Sequence, residues 1–299
     1  MTHAAHGNFS GKRLVIFGCG YVGAEIARQA VARGLRVTAL TRNETKAAAL
    51  RESGIEAVVA DLAANAWHER VAGGADFVLN CVSSGGGGIE GYRCSYLGGM
   101  ASMLAWARSR GTAGTMIYTG STSVYPQGGG ATVDETVPTD TAAERARILI
   151  ETENLLRAND SACARWFVLR LAGIYGPERH HLLEQVRAGE VAGRGEHRLN
   201  LIYRDDIAAA VWAAFAAPPT VANEIINLAD DGAAPKSEIA AWLAERLGVP
   251  PPRFTGEPTA GRREVTPDRV IANAKARRVL GWRPAWPTFR EGYEKILSR

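Results

Sequence analysis

The amino-acid sequence predicts an α/β fold with a doubly wound parallel sheet, followed by a smaller C-terminal region that binds the substrate. The first observation is that short apolar runs, rich in β-branched residues, alternate with Ala-rich helical stretches along the first 176 residues. The second is that these runs are continuously apolar, as in strands that helices cover on both faces. Strand–helix alternation of this kind builds βαβ units and a parallel sheet.

The predicted elements can be placed along the chain with little ambiguity. Strands are predicted at residues 13–17, 36–40, 57–60, 77–82, 115–119 and 166–171, and helices near 21–33, 43–52, 63–71, 91–110 and 141–158. After residue 177 we predict helices near 180–188, 205–216 and 237–247, strands near 199–203 and 224–228, a Pro/Arg-rich stretch at 249–267, and two short helices within 272–297. The predicted nucleotide-binding domain is therefore 1–176, with 201–228 packed back onto it, and 177–299 forms the substrate-binding region.

Composition narrows the function classes. The chain has 299 residues and a formal net charge of +4, and its basic residues are mostly scattered arginines. A nucleic-acid-binding protein would concentrate them in a patch, so we expect no nucleic-acid partner. No apolar run reaches the ~18 residues of a membrane helix, and the first residues lack the apolar core of a signal peptide. Because neither the cysteines nor the histidines have metal-ligand spacing, we expect no metal site and a reducing, cytoplasmic location.

The first strand leads directly into a glycine-rich turn. Gly18, Gly20 and Gly23 form the pattern GxGxxG, with Tyr21 and Val22 opening the helix that follows. In a Rossmann-type domain the first glycine allows a tight turn and the second lets the backbone approach a pyrophosphate. The third glycine allows helix and strand to pack closely. Strand, turn and helix stand in the order that this mechanism requires, so the motif predicts a dinucleotide site at the helix N-terminus.

The end of the second strand indicates which dinucleotide binds. An acidic residue there normally binds the ribose of NAD, but this sequence has Arg42. A guanidinium can pair with a 2′-phosphate, so we expect NADP as the cofactor in preference to NAD. The alternative is that Arg42 is a solvent-facing start of the next helix. Asp61 and Leu62, after the third strand, are placed where the adenine could bind.

Five further elements complete a recognisable set. They are IYTGSTSVY at 117–125 with VDETVP at 133–138, LRLAGIYGP at 169–177, LIYRDD at 201–206, INL at 226–228 and NAKARRVLGW at 273–282. In this order they resemble the extended short-chain dehydrogenase/reductase family, the branch of nucleotide-sugar epimerases, dehydratases and reductases. The resemblance covers nearly the whole chain. It implies a homodimer through the helices near 91–110 and 141–158, although an ordinary buried helix has the same apolar stripe.

The chain departs from this family where the resemblance implies the catalytic residues. The family has a Tyr and a Lys four residues apart on the helix after the Ser/Thr-rich loop, but these positions fall on Arg145 and Leu149 here. No shift of the alignment restores the pair, because no Tyr in the chain is followed by Lys at the fourth place. The chain therefore resembles an atypical member of the family.

Other residues are then the candidates for catalysis and substrate binding. The resemblance implies that the Ser121 hydroxyl hydrogen-bonds the substrate, although it could also be a turn-forming serine. Tyr175 leaves the sixth strand at the carboxyl edge of the sheet and is a candidate replacement acid or base, with packing as the alternative. Glu144 and Arg145 are weaker candidates. Thr122 and Arg179 are the predicted substrate contacts, and Arg179 with His180 and His181 could bind an anionic group.

Two functions of different classes remain open. The first is an NAD(P)-binding oxidoreductase or epimerase-like enzyme that acts on a small polar substrate such as a nucleotide sugar. The second is a non-catalytic sensor or regulatory protein that binds NADP(H), which the missing Tyr and Lys favour. The Ser121 loop and the full-length C-terminal region favour the enzyme.

Overall fold

The computed structural model describes residues 8–84, 86–141, 143–158, 161–257 and 267–298. Its strands are β1 (Arg13–Phe17), β2 (Arg36–Thr41), β3 (Glu56–Val59), β4 (Phe77–Asn80), β5 (Ala113–Ser121), β6 (Ala131–Val133), β7 (Cys163–Leu171), β8 (Gly173–Tyr175), β9 (Glu190–Val191), β10 (Arg198–Leu199), β11 (Leu201–Tyr203), β12 (Glu224–Leu228), β13 (Ala234–Pro235), β14 (Arg253–Phe254) and β15 (Arg269–Ile271). Its α-helices are α1 (Tyr21–Ala32), α2 (Glu44–Glu52), α3 (Gly88–Arg93), α4 (Gly99–Arg110), α5 (Glu144–Arg157), α6 (His181–Arg187), α7 (Arg204–Ala216), α8 (Lys236–Leu247), α9 (Ala274–Leu280) and α10 (Phe289–Leu297).

Seven strands form one parallel sheet in the order β12-β7-β5-β4-β1-β2-β3. The strand order reverses at β1, whose neighbours are β2 and β4. The fold-class prediction is therefore confirmed: this is a doubly wound Rossmann sheet. In such a sheet the carboxyl ends of all strands meet at one edge, and ligands bind in the crevice where the order reverses.

Each face of the sheet is covered by its own apolar cluster. One cluster joins α1 and α7 to the sheet through residues such as Leu14, Ile26 and Val211. The other joins α4 to the opposite face through Phe17, Met103 and Trp106. Because helices cover both faces, the strands carry apolar side chains continuously instead of at alternate positions. Segment 204–228 belongs to this unit, since β12 pairs with β7.

A third cluster holds the C-terminal region together. It contains Leu183 of α6, Leu243 of α8 and Phe289 of α10. Of the Pro/Arg-rich stretch 249–267, the structure describes residues 249–257 and 267. Among the described helices, none has both the length and the apolar character needed to cross a membrane.

The predicted helix near 63–71 is wrong. The structure has only a short 3₁₀ turn, Asn65–Trp67, in this segment. The Trp67 side chain is fully buried, its ring centroid lies 5.0 Å from that of Phe17, and its Nε1 donates to the carbonyl of Leu62 at 3.0 Å. The ring is thus held in the core by contacts with β1 and Leu62, and the chain around it forms only the 3₁₀ turn.

Two other predicted elements are interrupted. A π-helical turn, Cys94–Gly98, separates α3 from α4 within the predicted helix near 91–110. The predicted strand near 199–203 is divided into β10 and β11 at Asn200, whose Oδ1 accepts from the Ile271 amide at 2.7 Å and whose Nδ2 donates to the Arg269 carbonyl at 3.0 Å. Asn200 thus binds β15 instead of continuing a ladder.

Candidate functional site

A different steric circumstance explains the presence of glycine at each of the three positions in the turn after β1. Gly18 has φ +86°, and a Cβ there would lie 2.6 Å from the Val82 amide nitrogen. A Cβ on Gly23 would lie 2.5 Å from the Gly18 carbonyl oxygen, so the helix could not pack on the turn. A Cβ on Gly20 would meet no protein atom within 4 Å. Gly20 therefore borders open space, which fits a phosphate group that approaches the backbone.

The N-terminus of α1 is equally suited to an anion. Its first turn contains no acidic residue, and no side chain caps it. The amides at the start of a helix lack partners within the helix and carry a partial positive charge. These residues fit the diphosphate of a dinucleotide, with Tyr21, Val22 and Gly23 supplying the first helical amides.

The end of β2 presents cations at the same edge. Arg42 is exposed and forms no ion pair with any residue that the structure describes. The Asn43 side chain caps α2 by accepting from the Lys46 amide at 2.8 Å, which places Lys46 in the first helical turn. The nearest acidic residue in sequence, Glu44, pairs with Arg51 at 2.9 Å. The charge here is thus positive, as a 2′-phosphate requires.

Asp61 and Leu62, the predicted adenine contacts, follow β3 at this edge. Asp61 is exposed, and its Oδ1 accepts from the Ala63 amide at 3.0 Å. The Leu62 side chain is buried, and a Cβ on Gly99 of α4 would lie 3.0 Å from its Cδ2. Asp61 is therefore the more accessible of the two residues, while the Leu62 side chain packs against α4.

Ser121 and Thr122 follow each other at the end of β5, but their hydroxyls differ. Ser121 is half-buried, and its Oγ accepts from the Ser123 amide at 3.1 Å, which leaves the hydroxyl hydrogen for another acceptor. Thr122 is buried, and its Oγ1 donates to the Leu171 carbonyl at 3.3 Å. Of the two, the Ser121 hydroxyl is the one suited to contact a substrate.

A buried polar network lies beneath this loop. Arg170 donates to both carboxylate oxygens of Glu153 at 3.0 and 2.6 Å and to the Tyr125 hydroxyl at 2.7 Å. The Tyr125 hydroxyl in turn donates to Asn227 Oδ1 at 2.9 Å. Burial raises the pKa of Tyr125, so this phenol is a fixed, neutral hydrogen-bonding group. The sequence did not reveal this network because its members come from four separate elements.

Tyr175, the predicted replacement acid or base, points into the third cluster. The residue is 3% exposed, and its ring packs against Tyr203 and Tyr293 with centroids 5.4 and 5.1 Å away. A Cβ on Gly292 would overlap its hydroxyl, so α10 lies directly against this group. Burial raises the pKa of Tyr175 strongly, which keeps the phenol neutral. The backbone of Tyr175 lies at the expected edge of the sheet, but its side chain is packed in the core of the C-terminal region.

The two family positions on α5 have opposite environments. Leu149 is buried in the core cluster with α1 and α7, while Arg145 is exposed. The Arg145 guanidinium lies over the ring of Tyr92 at 5.6 Å, and the Tyr92 and Tyr96 centroids are 4.5 Å apart. Tyr96 hydrogen-bonds Tyr92 and the backbone of Ser84, in the loop after β4. The sequence pattern indicates only an apolar stripe for the predicted helix near 91–110, which contains both tyrosines.

Arg179 is exposed and close to the glycine turn. Its guanidinium lies 5.5 Å from the ring centroid of Tyr21, the first residue of α1. The neighbouring His180 pairs with Glu184 at 3.1 Å, and His181 with Gln185 at 3.1 Å. Of the three residues predicted to bind an anion, Arg179 is thus the one that reaches the sheet edge. Within the described part of the chain, no three His, Cys, Asp or Glu side chains are grouped so that they could bind a metal ion.

Residues 14–229 match the NAD-dependent epimerase/dehydratase family. The chain belongs to this family. It is 29% identical over 268 residues to the protein YeeZ of Escherichia coli K12, covering 88% of this chain and 93% of that protein. It is 30% identical over 214 residues to a 3-diazoavenalumate denitrifying reductase of Streptomyces, covering 65% of this chain and 68% of the reductase.

The fold also matches that of MoeE5, solved in complex with UDP-glucuronic acid and NAD. The TM-score is 0.81 at 17% identity, over 96% of this chain and 98% of MoeE5. The predicted resemblance to the epimerase branch of the extended short-chain dehydrogenase/reductases is therefore confirmed. The family includes NAD-dependent enzymes, and the glycine turn described above is where this chain would hold that cofactor.

The predicted dimer helices, α4 and α5, have polar outer faces. Exposed positions on them include Arg108 of α4 and Arg147, Glu151 and Asn154 of α5. Among the described residues, the exposed large apolar side chain is Val31 of α1, which lies elsewhere. The homodimer stays a prediction.

Proposed function

We propose that this protein is an NAD(P)-dependent oxidoreductase or epimerase that acts on a small polar substrate. The observation that carries the proposal is the open space at Gly20, beside the uncapped N-terminus of α1. Ser121, with its hydroxyl hydrogen available, follows β5 at the same edge of the sheet. The nicotinamide supplies hydride transfer when it is bound. The protein orients the substrate oxygen and moves the proton.

The cofactor in this proposal is NADP in preference to NAD. The argument rests on Arg42, which has no carboxylate partner among the described residues, and on the nearby Lys46. An unpaired guanidinium at this position can form a charge-assisted contact with the 2′-phosphate of NADP. NAD lacks this phosphate and therefore lacks the contact.

A nucleotide sugar is the proposed substrate class. The support is that MoeE5, which shares this fold, was solved in complex with UDP-glucuronic acid. The Streptomyces relative is a reductase, so reduction of a different small substrate is the variant of this proposal that sequence similarity favours.

Proton transfer needs a group other than the family's Tyr. We assign it to Tyr92, whose ring lies beneath the Arg145 guanidinium at the family's Tyr position. A positive charge beside a phenol stabilises the negative charge that develops on its oxygen as the proton leaves. Tyr175 is not included because its hydroxyl is packed against Gly292.

The second candidate function is an NADP(H)-binding sensor that carries out no hydride chemistry. The specific observation in its favour is Leu149, which is 1% exposed where the family has its lysine. A lysine ammonium could not be introduced there without burying a charge. The enzyme and the sensor share the cofactor site and differ in turnover.

The cofactor proposal is tested by equilibrium titration of NADPH and NADH, followed by fluorescence. We expect the unmodified protein to bind NADPH more tightly, and Arg42→Asp to reverse the order. The substitution removes a charge-assisted contact of roughly 1.5–3 kcal/mol, or about ten- to a hundredfold in affinity, and adds a repulsive carboxylate.

Arg36→Asp is the matched control, because Arg36 is exposed at the opposite end of the same strand, roughly 20 Å away at 3.3 Å per residue. It makes the same change in net charge and should leave the NADPH preference intact. Equal affinities of the unmodified protein for the two cofactors would contradict the assignment of Arg42.

A further inference from the structure

The ring of Tyr21 lies between two guanidinium groups at the start of α1. Arg179 lies 5.5 Å from its centroid and Arg204 lies 5.2 Å away. The Tyr21 hydroxyl donates to the Pro177 carbonyl at 2.7 Å, and burial raises the pKa of this phenol to about 12, so it remains a donor. The first residue of the nucleotide-binding helix is thereby joined to the loop that enters the C-terminal region.

The loop that carries Arg179 is a tight and strained turn. Gly176 and Arg179 exchange backbone hydrogen bonds in both directions at 3.1 Å. Between them Glu178 has φ +62°, a left-handed conformation that a non-glycine residue rarely adopts. A Cβ on Gly176 would lie 2.8 Å from the Tyr21 hydroxyl, so the turn packs directly on this ring. Such strain persists only where the surrounding contacts enforce it, and it is concentrated at functional sites.

The two guanidinium groups differ in their charge partners. The Arg204 Nε pairs with Asp205 at 2.9 Å and its Nη2 with Glu25 at 3.8 Å. Arg179 is exposed and has no carboxylate within 4.0 Å among the described residues. The charge of Arg204 is therefore compensated inside the protein, whereas that of Arg179 is available to an anion from outside.

We propose that Arg179 contacts the diphosphate of the bound dinucleotide, and that Tyr21 holds its guanidinium beside the glycine turn. The inference rests on the proposed function, since it takes the dinucleotide to occupy the open space at Gly20. It changes the role of Arg179 from a substrate contact to a cofactor contact. Arg179 thereby adds a cofactor contact from the loop that enters the C-terminal region.

Binding of NADH and of ADP-ribose tests this, measured by calorimetry. ADP-ribose has the diphosphate but lacks the nicotinamide. Arg179→Ala should weaken both ligands about ten- to a hundredfold, the range for loss of one charge-assisted contact. Arg179→Lys should recover part of that loss by restoring the charge without the planar fork. Tyr21→Leu should weaken both ligands by about two- to fivefold, because an exposed cation–π contact is lost.

Arg187→Ala is the control, since Arg187 is an exposed arginine of the C-terminal region that pairs with Glu184 at 3.1 Å. It should bind both ligands as the unmodified protein does. If the affinity for ADP-ribose is unchanged in Arg179→Ala, the proposal is overturned. The same holds if the affinity for NADH falls while that for ADP-ribose does not. If the unmodified protein binds neither ligand and does not bind NADPH, the proposed function fails as well, so the two failures are distinguishable. If it binds only NADPH, the same variants are compared with NADPH, and an unchanged affinity in Arg179→Ala overturns the proposal.

Discussion

Buried acidic groups at the sheet edge and in the C-terminal region differ in their hydrogen-bond and charge partners. Beneath the Ser121 loop, Glu153 is 2% exposed, and both of its oxygens accept from Arg170. In the C-terminal region, Asp230 is 5% exposed, and one of its oxygens accepts from the Gly232 amide at 3.0 Å. The other oxygen, Oδ2, has no hydrogen-bond partner among the described residues. Burial raises the pKa of Asp230 to about 8, so this carboxyl is neutral at moderate pH.

Under the proposed function, the two regions have different requirements. A cofactor and a catalytic hydroxyl need a frame whose geometry and charge do not change, and a paired buried charge with satisfied oxygens supplies one. The C-terminal region instead contains a carboxyl whose charge can change near neutral pH. Asp206 lies in α7 of the sheet unit but accepts from the Ala285 and Trp286 amides of the C-terminal region. Burial raises its pKa as well, to about 7.

Gly20→Val is the substitution with the largest expected effect, and it tests whether the glycine turn at the sheet edge binds the dinucleotide. The variant should keep its fold, because a Cβ at Gly20 would meet no protein atom within 4 Å. The added side chain fills the space of the diphosphate, so affinity for both NADPH and NADH should fall by more than about 10³-fold, the equivalent of losing several charge-assisted contacts. Titration by fluorescence measures this, and circular dichroism checks the fold.

Gly128→Val is its control. Gly128 is exposed, and a Cβ there makes only an ordinary contact, 3.6 Å from the Pro267 Cβ. Near-native cofactor affinity in Gly20→Val would mean that the glycine turn is not the dinucleotide site.

Ser121→Ala and Thr122→Val separate the enzyme from the sensor. Removing one hydrogen bond that acts mainly in the transition state costs about 10²–10³ in rate. We expect that loss for Ser121→Ala, with NADPH affinity nearly unchanged. Thr122→Val removes the hydroxyl that donates to the Leu171 carbonyl, and should affect stability more than rate. Stopped-flow absorbance of the reduced nicotinamide, with candidate UDP-sugars, measures turnover.

Tyr92→Phe in the same assay tests the proton-transfer assignment and should also slow turnover. If the unmodified protein turns over and Ser121→Ala does so equally fast, Ser121 is not at the reacting atoms. If no candidate substrate oxidises or reduces the bound nicotinamide, the sensor is favoured.

The features that the sequence predicted well are those specified by neighbouring residues. The strands of the parallel sheet, and the strand–turn–helix order around residues 18–23, follow from patterns a few residues long. The side-chain direction at Tyr175 could not be obtained in this way, because the motif places the backbone at the sheet edge while packing against Gly292 decides where the phenol points. The helix near 63–71 failed for a related reason, since burial of Trp67 overrides a weak helical pattern.

Contacts between distant segments were also beyond reach. The Arg179–Tyr21 contact joins residues 158 positions apart, and no local pattern in either segment indicates the other. The absence of the Tyr–Lys pair, by contrast, is a fact of the sequence alone. What occupies the vacated position, an exposed arginine over the ring of Tyr92, required the packing of α3 against α5.

The last expected effect is the pH dependence that Asp230 gives to stability. In the unfolded chain this carboxyl ionises near pH 3.9, whereas in the folded protein it keeps its proton up to about pH 8. Between these values the folded state binds more protons, so the free energy of unfolding must fall as pH rises. Asp230→Asn lacks this titration, and relative to the unmodified protein it should gain about 3–4 kcal/mol between pH 5 and pH 8. Urea denaturation across that pH range measures the difference in free energy of unfolding between the two proteins. The pH dependence contributed by Asp206 is the same in both and cancels. Asp231→Asn, a change at the exposed neighbour that pairs with Arg277, should keep the unmodified slope. Parallel stability profiles for Asp230→Asn and the unmodified protein would show that Asp230 is charged in the folded state, and the contrast between the two regions would then disappear.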